Sequence, residues 1–170
     1  MRRLLLLVSL LAVLPAVAEA QPRLMVGGGF SAPNGDFSAI AEPGYHLQAA
    51  LQVGIPTLPV GLRGDGVLHK FGTADAAFED SEVLTGALSV VFTLPGVGLE
   101  PYFLAGVGTY RVQTGPVGTP GESTDRGYHG GFGVVLGGLG FGAFAEVRYV
   151  QISGDLTTTR LIPLTLGLRF

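Results

Sequence analysis

The chain has 170 residues and a formal net charge of −3 at pH 7, from 10 Lys and Arg against 13 Asp and Glu. That balance excludes the concentrated positive charge of a nucleic-acid-binding domain, and the absence of cysteine excludes stabilisation by disulfides. Glycine is abundant at 28 residues, hydrophobic residues reach 47% and charged residues only 14%, a composition that favours a membrane environment.

The first 20 residues have the three parts of a secretory signal peptide. Arg2 and Arg3 supply a positive region, residues 4–14 form an apolar run, and Ala18-Glu19-Ala20 offers small residues for cleavage. The apolar run is too short to cross a bilayer as a helix. We therefore expect a signal peptide over residues 1–20, cleavage after Ala20, and a single domain over residues 21–170.

Eight strand-like segments follow, each close to the ten residues that a tilted strand needs to cross a bilayer. Their predicted bounds are residues 23–31, 44–54, 60–71, 83–94, 100–112, 128–136, 141–151 and 160–170. No segment after residue 20 has the length of apolar sequence that a transmembrane helix requires. A closed barrel satisfies every backbone polar group within a membrane, so the sequence predicts a transmembrane β-barrel.

Apolar and polar residues alternate along most of these segments. In the second, Leu47, Ala49 and Leu51 share one face, while Gln48 and Gln52 share the other. The fourth, seventh and eighth segments alternate in the same way, and the third does so more faintly. The first, fifth and sixth are diluted by glycine, and Phe103, Ala105 and Val107 are our assignment for the outer face of the fifth.

The connections alternate between long and short, which is typical of barrels with short periplasmic turns and longer external loops. The long ones are predicted at residues 32–43, 72–82, 113–127 and 152–159, and the short ones at 55–59, 95–99 and 137–140. Most acidic residues fall in the long loops, which places charge at one end of the molecule: Asp36, Glu42, Asp75, Glu79, Asp80, Glu82, Glu122, Asp125 and Asp155.

Four stretches of the sequence, at residues 27–37, 101–108, 146–149 and 164–170, carry a resemblance to a known family. They resemble the small porin-like outer-membrane β-barrel family, which has an eight-stranded barrel of the OmpA/OmpX type. The last strand, residues 164–170, alternates and ends on Phe170 like the signal by which such barrels are recognised for assembly. Residues 27–37, 101–108 and 146–149 are similar to the family's first, middle and seventh strands. The resemblance implies an all-β, eight-stranded, antiparallel, up-and-down transmembrane barrel in the bacterial outer membrane. Its expected partners are outer-membrane lipid, lipopolysaccharide and the barrel-assembly machinery.

A group of charged residues falls on predicted inward faces: Arg63, Asp65, Glu146, Arg148 and Arg169. An eight-stranded barrel is just wide enough for side chains to fill it, and charges buried there must pair. We therefore predict a salt-bridged polar network that plugs the barrel. The alternative is a narrow, gated path for ions or small solutes.

Other chemistry finds little support in the sequence. Some barrels of this size are lipid A deacylases with a Ser-His-acid set on the outer surface, but His129 is followed by Gly130 and Gly131, and His46 and His69 lie on inward faces. No pair of histidines has ligand spacing for a metal. Residues 138–143 match G-x-G-x-x-A but precede a strand instead of a helix, so we predict no cofactor.

The acidic loop residues 75–82, and Asp36 with Glu42, are candidates for divalent-cation binding, but we favour a solvated loop because calcium loops space their ligands more tightly and regularly. The leading functional hypothesis is a structural or surface-interaction barrel without enzymatic activity. A narrow pore is the first alternative, and a lipid-modifying enzyme is the second.

Overall fold

A computed structural model describes residues 22–39, 41–73, 80–114, 118–119, 121–138, 141–154 and 158–170. The predicted signal peptide lies outside these residues, as do Asp75, Glu79 and Asp155 of the predicted loops. None of the described residues belongs to a helix long and apolar enough to cross a membrane.

Eight antiparallel strands form one closed barrel in which every strand pairs with its neighbours in the sequence. The strands are β1 (Pro22–Asn34), β2 (Gly44–Gly54), β3 (Val60–Phe71), β4 (Ser81–Thr93), β5 (Leu99–Thr114), β6 (Gly121–Gly138), β7 (Phe141–Ser153) and β8 (Thr158–Arg169). A single 3-10 helix, Gly35–Ala39, follows β1. The predicted fold class is therefore confirmed.

The barrel closes where β1 pairs with β8, from Met25 opposite Arg169 to Asn34 opposite Arg160. Leu24 and Phe170 extend this ladder by exchanging two backbone hydrogen bonds, of 3.0 and 2.8 Å. Closure leaves no unpaired strand edge, which is the condition for crossing lipid with strands.

The two ends of the barrel differ, and we name them by what they carry. The terminal end is where β1 begins at Pro22, where β2, β4 and β6 end, and where Phe170 follows β8. The loop end is where β1, β3, β5 and β7 end and where β2, β4, β6 and β8 begin.

All four connections at the loop end are shorter than predicted because the strands continue beyond their expected ends. β5 and β6 remain paired as far as Thr114 opposite Gly121, so Glu122 and Asp125 lie on a strand instead of in a loop. Glu82 likewise lies on β4. Since β6 has 18 residues, more than a membrane crossing needs, the β5–β6 hairpin projects past the membrane at the loop end, where polar side chains are solvated.

The predicted alternation separates the inner and outer faces. Leu47, Leu88 and Leu166 point outward, and Leu88 is 71% exposed, whereas Arg63 is completely buried. Phe103 and Val107 also point outward, so the assignment for the fifth strand is correct. A row of exposed leucines, valines and phenylalanines on the outside is the pattern expected of a surface that contacts lipid.

The inside of the barrel contains two apolar clusters separated by polar residues. Along β7 the inward side chains are Phe144, Glu146, Arg148 and Val150 in that order. Phe144 belongs to a terminal-side apolar layer, which comprises Met25, Ala50, Val91, Tyr102, Leu104, Val135 and Phe144. Val150 belongs to a loop-side apolar layer, which comprises Phe37, Ala41, Phe71, Val83, Tyr110, Val112, Val150, Ile152 and Leu161. The charged residues therefore lie between two apolar layers.

Candidate functional site: a buried charge network inside the barrel

Four of the five predicted interior charges meet at the centre of the barrel. β3 supplies Arg63 and Asp65, and β7, on the opposite wall, supplies Glu146 and Arg148. In each pair the two residues are two positions apart, so both side chains point inward.

Two ion pairs cross the barrel and two stay on their own strand. Arg63 Nη1 lies 2.6 Å from Glu146 Oε2, and Arg148 Nη2 lies 2.7 Å from Asp65 Oδ1. Arg63 also contacts Asp65 at 2.9 Å, and Arg148 contacts Glu146 at 2.5 Å. These four residues, Arg63, Asp65, Glu146 and Arg148, form a closed set of ion pairs that we call the central ring. Its two positive and two negative charges balance, as they must in a poorly solvated interior.

Neutral polar groups complete the network. The Tyr102 hydroxyl donates to Glu146 Oε2 at 2.7 Å, and the Ser89 hydroxyl donates to Asp65 Oδ2 at 3.5 Å. The Gln48 amide, turned so that its oxygen faces the guanidinium groups, accepts from Arg63 and Arg148. These additional bonds satisfy donors and acceptors that the ion pairs alone leave open.

Glycines on β6, the strand beside β7, make room for the network. A Cβ at Gly133 would lie 2.4 Å from the Tyr102 ring and hydroxyl, and a Cβ at Gly131 would lie 3.0 Å from Arg148 Cγ. Both positions are on β6, next to β7. The Tyr102 side chain therefore requires glycine at Gly133, whereas at Gly131 the nearest atom is the backbone oxygen of Val147, at 2.3 Å.

Arg169, the fifth predicted member, does not join this ring. Its Nη1 lies 2.7 Å from Glu100 Oε2, which is also 3.7 Å from Arg23 Nη1. Both Glu100 and Arg169 lie at the terminal end, beyond Phe144 and the other residues of the terminal-side apolar layer. The structure thus divides the predicted charges into a central ring and a separate terminal pair.

The histidines lie inside the barrel on the loop side of the ring. Ser31 Oγ lies 2.9 Å from His46 Nδ1 and 2.8 Å from His69 Nδ1, and His46 Nε2 lies 2.8 Å from Thr165 Oγ1. Because a hydroxyl carries a single hydrogen, Ser31 can donate to only one of these rings and must accept from the other. The two histidines therefore hold opposite roles at Ser31.

His129 has a serine neighbour that its own sequence context did not reveal. Ser89 Oγ, from β4, lies 2.8 Å from His129 Nε2, and the Tyr110 hydroxyl lies 3.3 Å from His129 Nδ1. A serine beside a histidine is the first requirement of a hydrolase. Here, however, the acid Asp65 contacts the serine and not the histidine, and Ser89 and His129 are buried inside the barrel. Lipid on the outer surface cannot reach this pair.

Among the described residues, no three His, Cys, Asp or Glu side chains converge in a way that could hold a metal ion. The G-x-G-x-x-A match at residues 138–143 lies at the β6–β7 connection, and Phe141 begins a strand. A helix N-terminus, which a dinucleotide phosphate requires, does not follow it.

Solved structures share this architecture at low sequence identity. Neisserial surface protein A, NspA, matches with a TM-score of 0.75 and 17% identity over 88% of this chain and 97% of that chain. The attachment invasion locus protein Ail of Yersinia pestis matches at 0.57 and 16%, covering 89% and 99%. The N-terminal β-barrel domain of Pseudomonas aeruginosa OprF matches at 0.57 and 16%, covering 89% and 100%. None of the curated proteins that were compared matches the sequence.

The family comparison agrees with the barrel geometry, the lipid-compatible outer face and the charge-balanced interior. The outer membrane protein beta-barrel domain matches residues 4–170, nearly the whole chain. The chain belongs to the family of outer membrane protein beta-barrel domains, and it is an integral protein of the bacterial outer membrane.

Proposed function

We propose that this barrel has a structural or surface-interaction role in the outer membrane and that its interior is a plug, with no catalytic or transport activity. The observation that carries the proposal is the position of the central ring. Arg63, Asp65, Glu146 and Arg148 bond one another across the full width of the barrel. The side chains that would line a pore are thus committed to each other.

The apolar layers on either side strengthen the proposal. An ion that entered from the terminal end would meet Met25, Val91 and Phe144, and one from the loop end would meet Phe71, Val83 and Leu161. Stripping water from an ion in such surroundings is costly. The plug therefore consists of three layers, and an ion path requires all three to rearrange.

We predict that the wild-type protein gives no channel steps in planar bilayers under a range of voltages. Folded protein is identified beforehand by its heat-modifiable gel mobility, so that an absence of current is not attributed wrongly to unfolded protein. The alternative function, a narrow pore, predicts discrete steps in the current, and these steps become more frequent as more protein is added. Reproducible steps of that kind, altered by Glu146→Gln, would overturn the plug and favour the pore.

The second part of the proposal concerns the lipid around the loop end. In a barrel of this family the longer connections face outward and the short turns face the periplasm. Lys70, Arg111 and Arg126 all point away from the barrel near the loop end. Lys70 and Arg111 form exposed pairs with Glu82 and Glu122, at 3.3 and 2.9 Å. Such exposed pairs are weak, so both cations remain able to contact the phosphates of lipopolysaccharide.

We predict that added lipopolysaccharide raises the urea midpoint of the barrel in phospholipid bilayers, and that Lys70→Ala, Arg111→Ala and Arg126→Ala together reduce this rise. Binding only to the folded state stabilises it by mass action. Arg23→Ala is the matched control, since Arg23 is a half-exposed cation at the opposite end. An unchanged rise in the triple variant would show that these residues do not bind lipid phosphate.

A further inference from the structure

A small internal cavity lies on the loop side of the central ring. Its volume is about 20 Å³, and it is bounded by polar and apolar side chains of seven strands, β2 to β8. The lining comprises Gln48, Val67, His69, Thr85, Ala87, Tyr110, His129, Arg148, Val150 and Pro163. A polar cavity above about 10–15 Å³ has room for one water molecule.

Thr85 presents an unpaired polar atom at this cavity. The residue is 6% exposed, and its Oγ1 is buried with no hydrogen-bond partner among the described residues. Buried hydroxyl groups in native proteins nearly always have a partner, because an unpaired one bears the full cost of its lost hydration. The Thr85 hydroxyl is therefore expected to have a hydrogen-bond partner other than the neighbouring side chains.

Other groups around the cavity have bonding capacity to share. Ser31 engages Nδ1 of His69, and no hydrogen bond within the described part of the chain uses the Nε2 atom of that ring. Arg148 lines the same cavity and bonds Asp65 and Glu146 through Nη2 and Nε, which leaves its Nη1. A water molecule needs two to four polar partners, and these groups provide that number.

We propose that the cavity holds one structural water molecule that hydrogen-bonds the Thr85 hydroxyl and bridges it to His69 or Arg148. The water completes the polar filling between the central ring and the loop-side apolar layer. This site goes beyond the proposed plug, because it is a specific ligand position whether or not the barrel conducts.

The sign of one stability change tests the proposal. Valine has the shape of threonine without the hydroxyl, so Thr85→Val removes only the polar contact. If water pairs with the hydroxyl, Thr85→Val removes a satisfied bond and lowers the urea midpoint of the folded barrel. If the hydroxyl is unpaired, the same change removes a buried unsatisfied group and raises the midpoint.

The control is Thr109→Val, since Thr109 lies on the exposed outer face of β5 and reports the general effect of this substitution on a strand. A midpoint for Thr85→Val below that of the wild type and below that of Thr109→Val supports the bound water, and any other result overturns the proposal. A second measurement does not depend on the variants. A high-resolution crystal structure should show density for an oxygen about 3 Å from Thr85 Oγ1. Featureless density at that position would also overturn the proposal.

Discussion

Glu146→Ala is expected to destabilise the barrel by about 3–5 kcal/mol, because it leaves two buried guanidinium groups facing a single carboxylate. Arg63 and Arg148 both contact Glu146, at 2.6 and 2.5 Å, and after the change they share the Asp65 carboxylate and the neutral Gln48 oxygen. The Tyr102 hydroxyl also loses its acceptor. The predicted loss therefore combines an uncompensated positive charge with an unsatisfied hydroxyl in a place with little water.

Urea titrations of the folded barrel in detergent, followed by gel mobility, would measure this effect. Asp80→Ala is the control, because Asp80 is an exposed acid outside the strands and should change stability by about 0.5 kcal/mol or less. Equal midpoints for the two variants would contradict the structural importance of the ring.

Bilayer recordings of the same two variants separate the plug from a gated pore. A plug predicts that Glu146→Ala loses stability and gains little or no conductance, since the apolar layers above and below the ring remain. A gate predicts a stable protein with larger currents. A plug therefore predicts lower stability without a gain in conductance for Glu146→Ala, whereas a gated pore predicts unchanged stability with a gain in conductance.

Most of the barrel could be predicted from the sequence because each strand faces lipid on one side and other side chains on the other. That asymmetry imposes a period of two, and the period assigns both faces of a strand from a few leucines. It placed Arg63 and Asp65 on one inward face and Glu146 and Arg148 on another. Partners across the barrel depend on strand stagger, which alternation does not encode, so Arg169 was grouped with charges that it does not reach.

Glycine-diluted strands explain which site residues were missed. The outward assignment of Phe103 already implies by parity that Tyr102 and Glu100 point inward, where they bond Glu146 and Arg169. The sequence therefore contains the information that places Tyr102 and Glu100 inside the barrel. The water-sized cavity beside Thr85 gives no signal of this kind, because its volume depends on how side chains from seven strands fit together.

The strand ends were less predictable for a different reason. Beyond the membrane both faces of a hairpin are solvated, so the period of two fades although the backbone ladder continues. Arg111 and Glu122 form an exposed pair across β5 and β6 in this region, where the sequence suggested a strand for Arg111 but a loop for Glu122. Alternation therefore reports the length of strand in contact with lipid and not the full length of the strand.

Deleting Phe170 is expected to remove most of the protein from the outer membrane. Its backbone exchanges two hydrogen bonds with Leu24 at the seam between β8 and β1, and its ring lies 5.6 Å from that of Phe141. The terminal strand ending in an aromatic residue is also the feature that we propose the barrel-assembly machinery binds. Loss of the residue weakens both the seam and the recognition signal.

Two comparisons distinguish these contributions. Phe141→Ala removes the same ring contact but keeps the terminal residue, so it should reach the outer membrane in near-normal amount. Refolding of the Phe170-deleted chain from urea into detergent tests the seam without any assembly machinery. Successful refolding combined with failure in cells would assign the defect to recognition, whereas failure in both would assign it to the seam. Normal amounts of a heat-modifiable, Phe170-deleted protein in the outer membrane would show that the terminus has neither role.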